Sequence, residues 1–271
     1  MRLSYLKWLF LVCAVTYGLA ISKVSQLPKS SEIKVPLSED PVQQIIRGRE
    51  PFTLDYRSSN YFVEPVASYE ISGMIVSHND IGSFDDIYHT SDSVDVRDLC
   101  LIWGQNIEDD NHLSFDFKNE PFSCHINQKD YNSPGEFRIE NLSNNHLLVS
   151  SEKIREQIYT LNPGDQVRLK GMLVNYSASG SDFTRRSSLV RTDDGNGACE
   201  VMLVEELQVL GRWKPDWWRV RTISAKASLI LGILTLLSWI IGPIWEYEKR
   251  KRETNIMVAN YRKRMGGGQS N

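Results

Sequence analysis

The chain has 271 residues, with 31 basic and 34 acidic side chains, and a formal net charge of −3. The charge is uneven, because residues 23–211 hold 17 of the basic and 30 of the acidic side chains. An acidic surface repels phosphate backbones, and we therefore expect no nucleic-acid partner. About 200 residues between two apolar runs are enough for one sizeable hydrophobic core.

Residues 1–22 form an apolar segment that begins with basic side chains. Arg2 and Lys7 precede a run without charges, and the small residues Gly18 and Ala20 lie near its end. This pattern is typical of a secretory signal peptide with a cleavage site, and equally of a short uncleaved signal anchor. The two interpretations stay open, and both place the middle of the chain outside the cytoplasm.

Residues 23–60 are polar and contain prolines at positions 28, 36, 41 and 51. Prolines at this density interrupt helices and strands. We therefore expect a linker that separates a domain from the membrane, with a short helical turn at residues 42–46.

Residues 61–211 predict a β-rich extracytoplasmic domain, because short segments alternate apolar and polar residues between turn residues. Asp98–Gly104 is instead almost continuously apolar, which is typical of a buried strand. The expected strands are residues 67–77, 98–104, 112–117, 137–141, 167–174, 187–191 and 198–210.

One segment of this domain has a helical pattern. Ser150 or Ser151 can cap a helix over residues 150–159, in which Ile154 and Ile158 lie on one face. One helix among many short strands, without β-α-β alternation, predicts a mainly β fold. We expect a small OB-like barrel or a sandwich with one helix, flanked by two transmembrane helices.

Three cysteines lie in the predicted domain. In an oxidising compartment such thiols tend to pair. Cys100 and Cys124 could join two neighbouring strands in a disulfide, which leaves Cys199 as a small buried residue. Connectivity cannot be derived from spacing alone, so this pairing is a hypothesis.

The second apolar run, residues 227–245, contains no charge and is long enough to cross a hydrocarbon core of about 30 Å. A juxtamembrane segment, residues 212–226, precedes it, and a basic tail, residues 246–271, follows it. Basic residues concentrate on cytoplasmic flanks, and the tail carries more of them than residues 212–226. We therefore expect a cytoplasmic C-terminus and a lipid bilayer as one partner.

Cys199 and His146 are the low-ranking candidates for a catalytic pair. A thiolate nucleophile needs a base within hydrogen-bond reach and a third group that orients the base. Asn144, Asn145 or Asp193 could supply the third group. The alternative is an inert buried cysteine and a structural histidine, which is the commoner arrangement and the one we favour.

Arginines cluster beside a glycine-rich turn and predict a ligand or partner surface. Arg185, Arg186 and Arg191 flank two serines ahead of Asp193, and guanidinium groups beside hydroxyls can hold a carboxylate or phosphate. We assign this surface to these four residues together with Asn145. The alternative is a strand whose outward arginines pair with the acidic surface.

Motifs for metal and cofactor binding are missing from the sequence. The acidic clusters do not space their oxygens as calcium loops do, and no zinc, P-loop or dinucleotide fingerprint occurs. We expect no metal and no cofactor, and we regard an enzyme as the less favoured class.

Several pieces of the sequence together resemble an uncharacterised group of bacterial membrane-anchored proteins of unknown function. These pieces are residues 98–104, 143–154 and 185–207. In that order, they contain the motifs Asp-x-x-x-x-Trp-Gly, Asn-x-His and Arg-Ser-Ser-Leu-x-Arg-x-Asp-x-Gly-x-Gly-Ala-Cys-Glu. The resemblance implies a bacterial inner-membrane protein with a periplasmic β-rich domain, and no reaction.

The leading hypothesis is a membrane-anchored extracytoplasmic binding or scaffold protein, a subunit of an envelope complex with a membrane or periplasmic protein partner. A membrane-tethered thiol hydrolase and a sensor of anions or small ligands are the alternatives.

Overall fold

The computed structural model describes residues 2–81, 93–120, 123–129, 136–190 and 199–266. The chain divides into two units: Met1–Ser25 with Pro215–Asn271, and Gln26–Lys214. The elements in chain order are α1 (Arg2–Val24), β1 (Val42–Ile45), β2 (Phe52–Tyr56), β3 (Ser59–Asp80), β4 (Asp95–Ile102), α2 (Gln105–Glu108), β5 (Phe115–Glu120), β6 (Ser123–Gln128), β7 (Leu142–Leu148), α3 (Glu152–Tyr159), β8 (Gln166–Ala178), β9 (Glu200–Gly211) and α4 (Pro215–Gly266).

The first unit consists of two apolar helices, each long and apolar enough to cross a membrane. Within this unit Lys7 Nζ lies 5.2 Å from the centroid of the Trp239 ring. The second helix, α4, runs from Pro215 to Gly266, so it contains the expected apolar run and parts of the juxtamembrane segment and basic tail, and Pro243 lies inside it.

The second unit is built on a sheet in which β3 pairs with four other strands. The order is β1-β3-β4-β7-β9-β8, with β2 paired to β3 and a further pairing between β3 and β8. All pairs are antiparallel except β7 with β9. The fold is therefore sheet-rich with two long apolar helices at its termini.

The main hydrophobic core lies on one side of β4, β7 and β9, called here the core side. Leu99, Leu147 and Met202 are fully buried there, and Ile158 of α3 packs against them. At the end of the helix, Arg97 Nη1 donates hydrogen bonds to the carbonyl oxygen of Ile158 at 2.9 Å and to that of Leu161, just beyond the helix, at 2.8 Å. Burial of an apolar face and capping of orphan carbonyls thus hold α3 in place.

The residues expected to form a linker differ from that expectation, since they contain β1 and β2. Residues 42–46, expected as a helical turn, instead form a strand opposite Ala67–Glu70. Leu37 is buried, and Trp103 Nε1 donates a hydrogen bond of 2.9 Å to Asp40 Oδ1. The open edge of β3 determines this structure, and tertiary pairing overrides local propensity in so short a segment.

Other strand boundaries also differ from expectation. β7 begins at Leu142, because residues 139–141 form a 3₁₀ turn instead of the expected strand. The hairpin partner of β5, β6, was not expected, and no strand is assigned to residues 187–190. A register shift lies between Lys170 and Gly171, where a Cβ on Gly171 would collide with the Leu203 carbonyl oxygen.

The first and last residues of the sheet unit lie side by side. Trp213 Nε1 donates to the Gln26 carbonyl oxygen at 2.9 Å, and its backbone N–H donates to Asp165 Oδ1 at 2.8 Å. Arg212 Nη1 lies 2.9 Å from Asp165 Oδ2. Burial raises the pKa of Asp165, while these hydrogen bonds act in the opposite direction.

Cys100 on β4 and Cys124 on β6 form a disulfide across 24 residues of sequence. It attaches the β5–β6 hairpin to the main sheet. We expect Cys124→Ser to lower the free energy of unfolding by about 3 kcal/mol, because the unfolded chain loses a loop constraint.

Guanidinium titration of the full chain in detergent measures this difference. Cys13→Ser is the matched control, because Cys13 is a free cysteine. Equal stabilities of the two variants would contradict the assigned role of the disulfide.

Candidate functional site

Polar side chains gather on the side of β4, β7 and β9 that faces away from the core side. Asp98 on β4 is the register partner of His146 on β7, and Cys199 immediately precedes β9. Asp98 is 1%, His146 2% and Cys199 9% exposed. Three side chains that carry proton-transfer or nucleophilic chemistry are therefore removed from bulk solvent together.

His146 is the centre of this cluster. Its Nδ1 lies 2.6 Å from Asp98 Oδ1, and its Nε2 lies 2.7 Å from Arg185 Nη2. A guanidinium group can only donate. The Arg185 contact is therefore a hydrogen bond when Nε2 is unprotonated and Nδ1–H donates to Asp98.

The protonation of His146 is set by opposing influences. Burial lowers its pKa, but the Asp98 carboxylate and a hydrogen bond with Cys199 outweigh burial and raise the pKa to about 10. The hydrogen bond from Arg185 and its positive charge favour the neutral ring, so Arg185 opposes that rise. The buried Asp98 carboxylate is the strongest influence that raises the pKa of His146, and on balance this pKa is raised.

Cys199 forms no disulfide, and its thiol contacts Asn144 and His146. Asn144 Nδ2 lies 3.5 Å from its Sγ, and Asn119 Nδ2 in turn donates to Asn144 Oδ1 at 2.9 Å. Thiol, imidazole and carboxylate thus follow one another in the order of nucleophile, base and orienting group. Asp98 is the group in contact with the imidazole, whereas Asn144 contacts the thiol, Asn145 lies on the core side, and Asp193 is outside the described residues.

Arg185 reaches His146 because its segment returns along β8. Its backbone forms an isolated antiparallel bridge with Tyr176. The Tyr176 hydroxyl donates to the Asp95 carboxylate at 2.8 Å. Burial and then Asp95 raise the pKa of Tyr176 well above its usual value, so it stays a neutral donor.

Arg186 lies away from this cluster, in an open pocket of about 370 Å³. The pocket is also lined by Phe62, Glu64 and Asn175. The predicted arginine surface is therefore divided: Arg185 belongs to the buried cluster and Arg186 to the pocket.

Asn145 does not join either group. Consecutive strand residues point to opposite sides, so Asn145 lies on the core side, with its Nδ2 3.5 Å from the Leu99 carbonyl oxygen. Near it, Ser143 Oγ donates to Glu200 Oε2 at 2.5 Å. Arg191 and Asp193 lie outside the described residues.

The sequence reasoning missed Asp98, which was treated as the polar boundary of a buried strand. The signal was available, because Asp98 is followed at once by an apolar run and a charged residue at a buried position needs a partner. Nothing in the local sequence identified His146 as that partner. The pairing appears only in the register of two strands 48 residues apart.

Within the ranges that the structure describes, no group of three or more His, Cys, Asp and Glu side chains could hold a metal ion. Comparisons of the chain with protein-family models, with curated proteins and with solved structures gave no match.

We expect Asp98→Asn to lower the pKa of His146 from about 10, because burial then dominates. A raised histidine pKa stabilises the fold fully below the unfolded value of 6.5, and this stabilisation is lost as the pH rises through about 10. The unfolding free energy of the unaltered chain should therefore fall over this pH range more steeply than that of the variant.

NMR titration of the histidine ring and chemical unfolding at a series of pH values measure these two effects. Asp116→Asn, at an exposed carboxylate on β5, is the control and should leave both unchanged. The interpretation fails if Asp98→Asn leaves the His146 titration where it was.

Proposed function

We propose that the chain is a membrane-anchored extracytoplasmic binding protein. The observation that carries this proposal is the contact between Gln26 and Trp213, which brings the two ends of the sheet unit together. A domain whose ends meet can be held by two apolar helices that enter one bilayer as a pair. We assign the anchoring to residues 5–24 and to the apolar part of α4.

The finer proposal for the fold is an OB-like barrel. Five strands form a ring of pairings, β3-β4-β7-β9-β8 and back to β3. The parallel pair β7–β9 and a helix between β7 and β8 fit a small, partly open Greek-key barrel. In this proposal the polar cluster lies on the outward-facing side of the barrel wall, buried beneath the connection from β8 to β9 that carries Arg185.

For location, we propose a bacterial inner membrane with the domain in the periplasm and residues 246–271 in the cytoplasm. The basic residues after the apolar run support this orientation, because such residues concentrate on cytoplasmic flanks. The partners would be the lipid bilayer and a membrane or periplasmic protein of an envelope complex.

Two reporters fused after Asn271 test the orientation. We expect a reporter that is active only outside the cytoplasm to be silent, and one that fluoresces only in the cytoplasm to be bright. A matched pair of fusions after Lys214, which ends the sheet unit, should give the opposite result. The reverse pattern at Asn271 would overturn the proposal.

A second candidate function is a membrane-tethered thiol hydrolase. It is favoured by the spatial arrangement in which His146 lies between Cys199 and Asp98. In such a reaction His146 accepts the thiol proton, the sulfur attacks an acyl carbonyl carbon, and the proton passes to the leaving group. Water then releases the acyl group from sulfur. Arg185 argues against this role, because it occupies the nitrogen that would accept the proton.

Alkylation by iodoacetamide tests the second candidate. In a Cys13→Ser background Cys199 is the remaining free cysteine. If His146 activates the thiol, His146→Gln should slow labelling of Cys199 about a hundredfold or more, which is the range for a positioned base. Arg138→Gln, an exposed arginine near a different pocket, is the control. Equal labelling rates would exclude activation by His146.

A further inference from the structure

Side chains from adjacent extended segments form one side of the pocket that contains Arg186. On β3, Phe62 and Glu64 are two residues apart, and both are exposed, so they point to the same side. On β8 their register partners are Ser177 and Asn175. All four line the pocket.

A third extended segment continues this surface beyond β8. The bridge between Tyr176 and Arg185 aligns the segment antiparallel to β8. Thr184 and Arg186 flank Arg185 in sequence and therefore point to the other side from it. Both line the pocket, whereas Arg185 contacts His146.

Several polar groups of the pocket are available to a ligand. Within the described part of the chain, the side chains of Ser177, Thr184 and Arg186 make no hydrogen bond or ion pair. Asn175 is held in one orientation, because Nδ2 donates to Glu64 Oε2 at 2.8 Å and Oδ1 accepts from a backbone N–H. Its second amide hydrogen remains free to donate.

The charges of the pocket lie at opposite ends. Glu64 and Arg186 belong to the two outer segments, whose backbones are about 10 Å apart across β8. Hydroxyl and amide groups lie between them, and the Phe62 ring, 52% exposed, is the apolar surface. A complementary ligand carries one carboxylate, several hydroxyl groups and an apolar face.

We propose that this pocket binds a carboxylate-bearing sugar residue of the uronic acid type, an inference that rests on the proposed extracytoplasmic binding function. The carboxylate pairs with Arg186, a geometry that guanidinium groups favour. The hydroxyls bond Asn175, Ser177 and Glu64, and the C–H face of the sugar ring lies on Phe62. A volume of about 370 Å³ is within the range of small-ligand sites.

A phosphate ester suits this pocket less well. It carries up to two negative charges, and Glu64 together with the acidic excess of residues 23–211 repels a dianion more than a single carboxylate. Inorganic phosphate is therefore one of the probes in the test.

Binding is measured with methyl β-D-glucuronide and methyl β-D-glucoside, which differ only in the carboxylate. The full chain is kept in a detergent without a sugar headgroup, and saturation-transfer NMR detects the ligand. We expect the glucuronide to bind with a dissociation constant on the order of 1 mM, as suits so small a ligand. The glucoside should bind about tenfold more weakly.

Variants assign the contacts. Arg186→Gln should weaken glucuronide binding about tenfold and leave glucoside binding unchanged, because it removes only the carboxylate contact. Phe62→Ala should weaken both sugars, and Phe62→Tyr should retain both. Arg168→Gln, an exposed arginine on β8 that lies outside the pocket, should change neither.

Each of three results would overturn the sugar assignment: no saturable glucuronide binding, equal binding of the two sugars, or displacement of the glucuronide by inorganic phosphate at equal concentration. A cytoplasmic location of the domain in the reporter fusions would instead overturn the proposed function. The two failures are therefore distinguishable, because one is read from ligand binding and the other from topology.

Discussion

The structure of the sheet unit depends on β3, which pairs with other strands along both of its edges. This strand spans 22 residues and pairs with β8 over most of its length, while its other edge carries β1, β2 and β4. A register shift between Ile75 and Ser77 lies within the β4 pairing, and another between Pro65 and Ala67 lies within the β8 pairing. Such irregularities bend a strand and increase its twist. A bent β3 can therefore pair with strands that a flat strand would hold far apart, and β1 and β2, near the start of the unit, pair with its remaining edge.

The buried polar cluster follows from this arrangement. Along β7 the outward positions run from Leu142 through Asn144 and His146 to Leu148, so polar residues lie between two apolar neighbours that belong to separate hydrophobic clusters. Buried charges without partners are strongly unfavourable. Asp98 accepts from Nδ1 of His146 in either protonation state, and Arg185 donates to Nε2 when the ring is neutral. The His146 ring thereby connects β4, β7 and the segment that follows β8. This structural role does not depend on any reaction of Cys199.

Local patterns in the sequence predicted the helices and strands that depend mainly on local interactions. The amphipathic spacing of Ile154 and Ile158 located α3, and alternation located β8 and β9 closely. Local patterns failed where long-range pairing decides the outcome, as for β1, whose Val-Gln-Gln-Ile sequence has no strong preference until the edge of β3 offers hydrogen bonds. The same limit applied to the site. Cys199, His146 and Arg185 were identified by residue type, but Asp98 and the separation of Arg185 from Arg186 depend on register and on the side that each residue faces.

The alternation at residues 184–186 means that one short segment serves two surfaces. Arg185 points to the buried ring of His146, and Thr184 and Arg186 point to the open pocket. A change at Arg185 removes a partner from the buried His146 ring, and because Arg185 lies between Thr184 and Arg186 on the chain, we expect it to affect the cluster and the pocket together. A change at Arg186 removes an exposed side chain that has no hydrogen bond or ion pair in the described part of the chain, and leaves the cluster intact. The two arginines, adjacent in sequence, therefore report on different properties, and defects at Arg185 alone cannot be assigned to ligand binding.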